Sequence, residues 1–232
     1  MSTPMFSGLP RIAGEEINLL DQYPRSKRPI EERGRLVTAE HRAMARRFDR
    51  AFFDGDRLTG YGGYVYHPRF WQATVRRFRD HYRLAEDASV LDIGCGKGFM
   101  LHDFAALMPH LRLAGLDLSE YAIANAMEDV KPFVRVGDAK ALPYPDRSFD
   151  LVISINTIHN LPLEECAQAL REMQRVSRQH AFLTVDAWRT DEERVRLQHW
   201  VLTALTYMHV DDWKRLFAEA GYTGDYYWFI AE

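Results

Sequence analysis

Between residues 89 and 188, short and nearly unbroken apolar runs alternate with longer stretches in which apolar residues recur every three or four positions. SVLDIG (89–94), LRLAGLDLS (111–119), FVRVGDA (133–139), FDLVISIN (149–156) and HAFLTVDAW (180–188) have the length and composition of strands. FDLVISIN is almost wholly apolar, as a strand covered on both faces must be. The stretches between them predict helices. FMLHDFAALMP (99–109) ends at its proline, and EYAIANAMEDV (120–130) follows Ser119 as a cap. Residues 162–177 carry Pro162 in the first turn and Leu163, Cys166, Ala167, Leu170 and Met173 along one stripe. RTDEERVRLQHWVLTAL (189–205) and DDWKRLFAEAGY (211–222) predict two more helices, the second ending at Gly221, and DYYWFIAE (225–232) a last strand. Strands alternating with helices imply an α/β fold: a doubly wound, mostly parallel sheet with right-handed crossovers and helices on both faces.

Before residue 88 the rhythm differs. Residues 38–53 predict a helix capped by Thr38, and residues 69–82 a second one facing inward with Phe70, Trp71, Val75, Phe78 and Tyr82. Between them lies a glycine-tyrosine loop with Tyr61, Tyr64 and Tyr66 near His67 and Arg69. Residues 1–35 mix prolines with alternating charge; 1–20 read as a mobile arm, and 21–35 equally as an arm or as a lid that orders over a ligand. Arg25, Lys27, Arg28 and Arg33 make a charge run that reads first as a solvated face and second as a site for an acidic substrate. The chain therefore divides into an N-terminal substrate lid, 1–84, and a ligand-binding domain, 85–232.

Composition removes several function classes. A net charge of −3 over 232 residues offers no basic surface for nucleic acid or an anionic membrane. No run of about 18 apolar residues or signal-peptide core is visible, and two cysteines do not make a disulfide framework, so a reducing cytoplasm is the expected location. No HxxxH, CxxC or carboxylate cluster argues for a metal.

The chemistry concentrates in VLDIGCGKGFML, 90–101. Gly94 and Gly96 stand where the first strand turns into a helix, so a ligand can approach bare main chain; Gly98 allows close helix–strand packing. Such a turn is weak evidence alone. Asp92, Asp117 and Asp138 strengthen it, because each stands at the carboxyl end of a predicted strand, the edge where open α/β sheets bind ligands. An acid ending the second strand suits ribose hydroxyls. An acid beside the glycines suits an ammonium better than a pyrophosphate, and GxGxG followed by Phe99 departs from the dinucleotide pattern.

LDIGCGKG, LAGLDLS, VGDAKALPYPDRSFDLVISINTIHN and EAGY, in that order, resemble the successive motifs of class I S-adenosylmethionine-dependent methyltransferases across about residues 85 to 230. The resemblance implies a Rossmann-like sheet of six to seven strands with an N-terminal helical arm, and S-adenosylmethionine as cofactor. It implies that Asp92, Gly94, Cys95, Gly96 and Gly98 hold the methionine end. Asp117 would hold the ribose, with Leu118, Asp138 and Ala139 at the adenine and Asn156 near the sulfonium. At the C-terminus only one strand follows the final helix, so the family's terminal hairpin, with its antiparallel strand, is shortened or lacks a strand.

For the transfer itself, His159 after the fourth strand is the candidate base, Asp186 at the end of the fifth orients it or binds substrate, and Tyr64 is the tyrosine most suited to wall the site. Tyr207 and His209 face the same rim, whereas Trp188 and Trp200 read as packing. The expected acceptor is an O or N atom of a small polar metabolite of sugar, nucleotide-linked or antibiotic-precursor type; homo-oligomers are left open. The alternatives are a methyltransferase of RNA or protein, a binding module without catalysis, and a dehydrogenase. The absence of an NPPY-type motif, replaced here by NTIH, speaks against amino-methylation of nucleic acid.

Overall fold

A computed structural model describes residues 14–24, 28–62 and 64–232. In chain order the elements are α1 (Ile30–Leu36), α2 (Ala39–Ala45), α3 (Arg50–Asp54), α4 (Pro68–Tyr82), β1 (Ser89–Ile93), α5 (Phe99–Leu107), β2 (Arg112–Asp117), α6 (Glu120–Ala124), β3 (Val134–Val136), β4 (Phe149–Ile155), α7 (Leu163–Val176), β5 (Ser177–Trp188), α8 (Asp191–Trp200), β6 (Met208–His209), α9 (Val210–Ala220) and β7 (Asp225–Phe229).

The sheet runs β3-β2-β1-β4-β5-β6, with β7 also on β5. Strand order reverses between β1 and β4, which opens a crevice above the carboxyl ends of those strands. β1 is buried throughout, and all of β4 except Ile155 is buried, as their apolar runs require. One face is covered by α7 and α9, whose Leu170, Met173, Trp213 and Phe217 pack against Val152, Leu183 and Val185. On the other face Val75 and Phe78 of α4 and Phe104 of α5 pack on Val90, Leu151 and Phe182.

Three predicted helices are shorter than their periodicity suggests. Residues 38–53 split: Thr38 and His41 form a capping box on α2, the chain turns at Phe48 with φ +49°, and Asp49 caps α3 by accepting from the Ala51 N–H at 2.8 Å. The helix after Ser119 stops at Ala124, where Asn125 folds its side chain back onto the Tyr121 carbonyl. The 189–205 stretch is helical only to Trp200, after a capping box of Thr190 and Glu193. His67, beside the tyrosine loop, caps α4, and His209 caps α9, each through Nδ1.

The C-terminal hairpin resolves differently from expectation. β6 exists but has two residues, and it pairs parallel with the end of β5, Ala187 with Met208 and Trp188 with His209. β7 pairs parallel with the preceding part of β5, from Phe182–Asp225 to Asp186–Phe229. All strand pairings among the described residues are parallel. The free edge of β7 is partly closed by the N-terminal segment. Ile17 N–H donates to the Tyr226 carbonyl and Tyr226 N–H to that of Glu15, both at 3.0 Å. Leu19 is fully buried among Val75, Phe78 and Val90. Residues 14–20 are thus docked rather than a free arm, because they complete a sheet edge and bury a leucine; residues 1–13 lie outside the described residues, as do Arg25 and Lys27.

If this docking holds in solution, Leu19→Ala should cost about 2–5 kcal/mol in urea unfolding, the range for a buried leucine. A change within error of zero would show that the segment contributes nothing to the core.

Candidate functional site

The turn after β1 adopts a backbone that side chains resist: Gly94, Gly96 and Gly98 have φ of +81°, +54° and +77°. Their surroundings separate them. A Cβ on Gly94 would strike Thr157 Oγ1 at 2.0 Å, and one on Gly98 would lie 2.7 Å from Val130 Cγ2. A Cβ on Gly96 would meet only Phe53, at 3.5 Å, so that main chain faces open space. Gly98 does not line the cavity beside it; among the predicted contact residues it serves packing alone.

Asp117, ending β2, fastens the turn. One carboxylate oxygen accepts from the Gly96 N–H and the other from the Ser119 N–H, both at 2.8 Å. Burial raises its pKa above the usual carboxylate range, and the two N–H groups oppose that shift. Asp92 is buried and hydrogen-bonds no described residue. Burial first, and the Asp117 charge second, push its pKa up to about 8. Two buried acids on one cavity repel each other and favour a cation.

That cavity, about 810 Å³, opens at the carboxyl ends of the strands. It is lined by Asp92, Gly94, Cys95, Gly96, Asp117 and Leu118, and further round by Asp138, Ala139, Asn156, His159, Asp186 and Tyr64. Asp138 accepts from the Lys140 N–H at 2.9 Å, which fixes the turn after β3. Asn156 takes φ +50°. Its backbone N–H donates to Thr184 Oγ1 at 3.0 Å, and that hydroxyl donates to the Asn156 side-chain Oδ1 at 2.8 Å.

His159 is buried, and its Nδ1 accepts from the Asp186 backbone N–H at 2.9 Å. The ring proton of the neutral imidazole therefore sits on Nε2, a donor. Burial holds the pKa down to about 3. These features run against His159 as a base: the free nitrogen is protonated and the other is occupied. Asp186 suits that part better. Its carboxyl lines the cavity, lies 3.5 Å from His159 Nδ1, and is pushed up to about 8 by burial, with Arg28 opposing.

Tyr61 and Tyr64 face the cavity, whereas Tyr66 turns outward and donates to Asp103 at 2.7 Å. Tyr61 OH accepts from the Leu202 N–H at 2.8 Å. Tyr64 packs on Phe53 at 4.8 Å and Phe52 at 5.2 Å between ring centres, and burial raises its hydroxyl pKa. Tyr207 stacks edge-on with Trp188 away from the cavity, and Trp200 is both packing and cavity wall. Residue periodicity did not reveal Lys97, whose Nζ reaches Asp54 at 2.6 Å and the Tyr64 carbonyl at 3.2 Å. Asp54 also accepts from Tyr121 OH at 2.6 Å. Lys97 thus ties the glycine turn to α3 and the tyrosine loop, and its charge is spent on Asp54. Arg33 is buried too, donating to the carbonyls of Trp200 at 3.0 Å and Arg57 at 2.9 Å; it is a structural tie, not a solvated charge.

The donor set tests the implied cofactor. Among the described residues, the glycine-turn end offers the buried Asp92, the half-buried Asp117, exposed main chain at Gly96 and Lys97 already paired with Asp54, which fits an ammonium and hydroxyls and not a pyrophosphate. Among the described residues no cluster of three or more His, Cys, Asp or Glu is placed to hold a metal ion, and no helix is long and apolar enough to cross a membrane.

Residues 90–180 match the family model of a methyltransferase domain. The chain is 32% identical over 115 residues to a demethylmenaquinone methyltransferase of Roseiflexus castenholzii, covering 48% of each chain. It is 32% identical over 127 residues to a fatty-acid O-methyltransferase of Mycolicibacterium smegmatis, covering 51% of this chain and 42% of the relative. The chain thus spans about half the length of these relatives. The crystal structure of the YcgJ protein of Bacillus subtilis shares the fold, with a TM-score of 0.51 at 22% identity over 62% of this chain and 65% of that one.

The raised carboxyls have a signed consequence. Asp92 and Asp186 have folded values near 8 against an unfolded value of about 3.9, so their contribution to stability is full below pH 4 and is lost as pH rises through 8. Asp186→Asn should flatten that decline in denaturation series from pH 5 to 8; an unchanged slope would mean that Asp186 is ionised throughout.

Proposed function

We propose that this chain, whose residues 90–180 match a methyltransferase domain, is a class I S-adenosylmethionine-dependent methyltransferase that methylates an oxygen or nitrogen of a small molecule. The observation that carries this reading is a single cavity joining two chemically distinct ends: Asp92 and Asp117 at the glycine turn, Asp186 and His159 under aromatic walls. When bound, S-adenosylmethionine supplies an electrophilic methyl group on a sulfonium. Asp92 would hold its ammonium, the main chain at Gly94 to Gly96 would lie against the methionine portion, and Asp117 would take the ribose hydroxyls. Leu118, Asp138 and Ala139 would border the adenine, and Asn156 would lie near the sulfonium.

The acceptor half is walled by Tyr64, Phe70, Trp71, Trp200 and Phe229. These rings bind flat apolar faces and exclude water, which supports in-line approach. A sugar ring presents such a face on its C–H side, as does an aromatic ring, so the expected polar acceptor narrows to one with a flat apolar face and a polar edge. The named substrates of the two relatives, a menaquinone precursor and a fatty acid, are likewise small molecules with apolar bodies. Asp186 would take the proton from the acceptor hydroxyl or amine. His159 Nε2–H orients the acceptor, with its ring fixed by the Asp186 N–H. Phe52 and Phe53 of α3 and Tyr61 and Tyr64 of the tyrosine loop line the cavity and would serve as part of the lid formed by the segment before β1.

Calorimetry with S-adenosylhomocysteine tests the cofactor assignment. Asp117→Ala should weaken binding by about 1–3 kcal/mol, and unchanged affinity would remove Asp117 from the ribose. In methyl-transfer assays over an acceptor panel, kcat/KM should climb with pH through about 8 as Asp186 ionises. Asp186→Asn should abolish that climb and lower turnover roughly 10²-fold or more. A retained pH profile in the variant would place the base elsewhere.

A further inference from the structure

Lys97 stands between Gly96 and Gly98, and its side chain leaves the glycine turn for the segment before β1. Nζ lies 2.6 and 2.9 Å from the two carboxylate oxygens of Asp54, the last residue of α3, and donates to the Tyr64 carbonyl at 3.2 Å. Tyr121 OH, from α6, donates to the same carboxylate at 2.6 Å. Hydrogen bonds from Lys97 first, and from Tyr121 second, hold the Asp54 pKa below the usual carboxylate range, so the clasp is charged at neutral pH. The chain just ahead of α3 is pinned as well. Phe48 carries φ +49°, a backbone that a bulky residue keeps only where its surroundings impose it, and Ser119 Oγ donates to its carbonyl. Ser119 and Tyr121 follow β2, and Lys97 follows β1, so α3 is fastened to both turns at the glycine-turn end of the cavity. Its Phe52 and Phe53 line that cavity, and Phe53 Cε1 lies 3.5 Å from where a Gly96 Cβ would stand.

We propose that α3 is a strap latched over the glycine-turn end of the cavity, and that the Lys97–Asp54–Tyr121 clasp sets how fast S-adenosylmethionine enters and S-adenosylhomocysteine leaves. The gate rests on the methyltransferase reading for the identity of its ligand, but on protein contacts alone for the latch. A ligand seated against the Gly96 main chain lies beside Phe53. Its passage requires α3 to lift, which breaks the clasp at Asp54 and turns the backbone near Phe48. Lys97 is thereby a positioning residue. The ammonium that holds Asp54 also holds the Tyr64 carbonyl, so closing the strap sets an aromatic wall of the acceptor half against the cofactor end. Every partner in the clasp is a protein group, so the latch closes equally on an empty and on a filled cavity. Weakening it raises the entry and release rates by the same factor and leaves the equilibrium constant in place. A group that merely held the bound ligand would change release alone.

Surface plasmon resonance on the full chain, with S-adenosylhomocysteine as the probe, reads both rate constants. Asp54→Ala should raise association and release together, roughly three- to tenfold, while Kd moves by less than about twofold. Tyr121→Phe, which removes one hydrogen bond and keeps the ring, should raise both rates by a smaller factor. Asp54→Asn, which keeps an acceptor without the charge, should fall between Asp54→Ala and wild type. Release that quickens without association would overturn the proposal, as would wild-type rates in both Asp54→Ala and Tyr121→Phe. Hydrogen exchange on residues 48–62 of the ligand-free chain tests the latch by itself: Asp54→Ala should exchange faster there and nowhere else. Unchanged exchange would overturn the latch and leave the methyltransferase reading standing. Failure of S-adenosylhomocysteine to bind wild-type protein would instead overturn that reading, and the gate with it.

Discussion

Asp117 accepts one hydrogen bond on each carboxylate oxygen, from Gly96 and from Ser119, and so couples the end of β2 to the turn after β1. The positive φ angles of that turn are costly for any residue but glycine, and an unfastened glycine turn would sample many shapes. With both oxygens anchored, the turn has one shape and the main chain at Gly96 faces outward into the cavity. Burial first, and the Asp117 charge second, raise the proton affinity of Asp92, so that this end of the cavity favours a cation. Its shape and its charge preference thus have a common origin.

The cavity is electrically divided. Acids dominate at the glycine turn, whereas arginines stacked on aromatic rings frame the opposite mouth. A buried acid of near-neutral pKa, Asp186, stands in the acceptor half beside an imidazole held neutral. Burial moves the two groups in opposite directions, because it penalises whichever form is charged. A histidine in a loop is thereby turned into a donor, and an aspartate into a group able to exchange a proton near neutrality.

Much of the sheet was legible in residue order. β1, β4 and β5 are buried apolar runs, and Thr38, Ser119 and Gly221 sit at helix ends by local chemistry that extends over only a few residues. Asp92, Asp117, Asp138 and Asn156 were legible at the rim because each lies within two residues of a strand's carboxyl end, and a parallel sheet aligns all such ends. The parallel attachment of β6 and β7 to β5 was not legible, since their strand periodicity says nothing about direction. Nor was the docking of residues 14–20, whose single buried leucine is unmarked until α4 and β1 enclose it.

The sequence by itself determined the α/β class, the glycine turn and the acids ranged along one edge, because period, turn chemistry and strand ends are local properties. Only the tertiary structure decided which charges became ties and which stayed on the cavity. Lys97 meets Asp54 across 43 positions and Arg33 meets the Trp200 carbonyl across 167, whereas Asp92 and Asp186 stand on the cavity wall. It also decided which nitrogen of His159 is occupied, through the Asp186 N–H. Protonation follows burial and partners, and both exist only once distant segments have closed over the site.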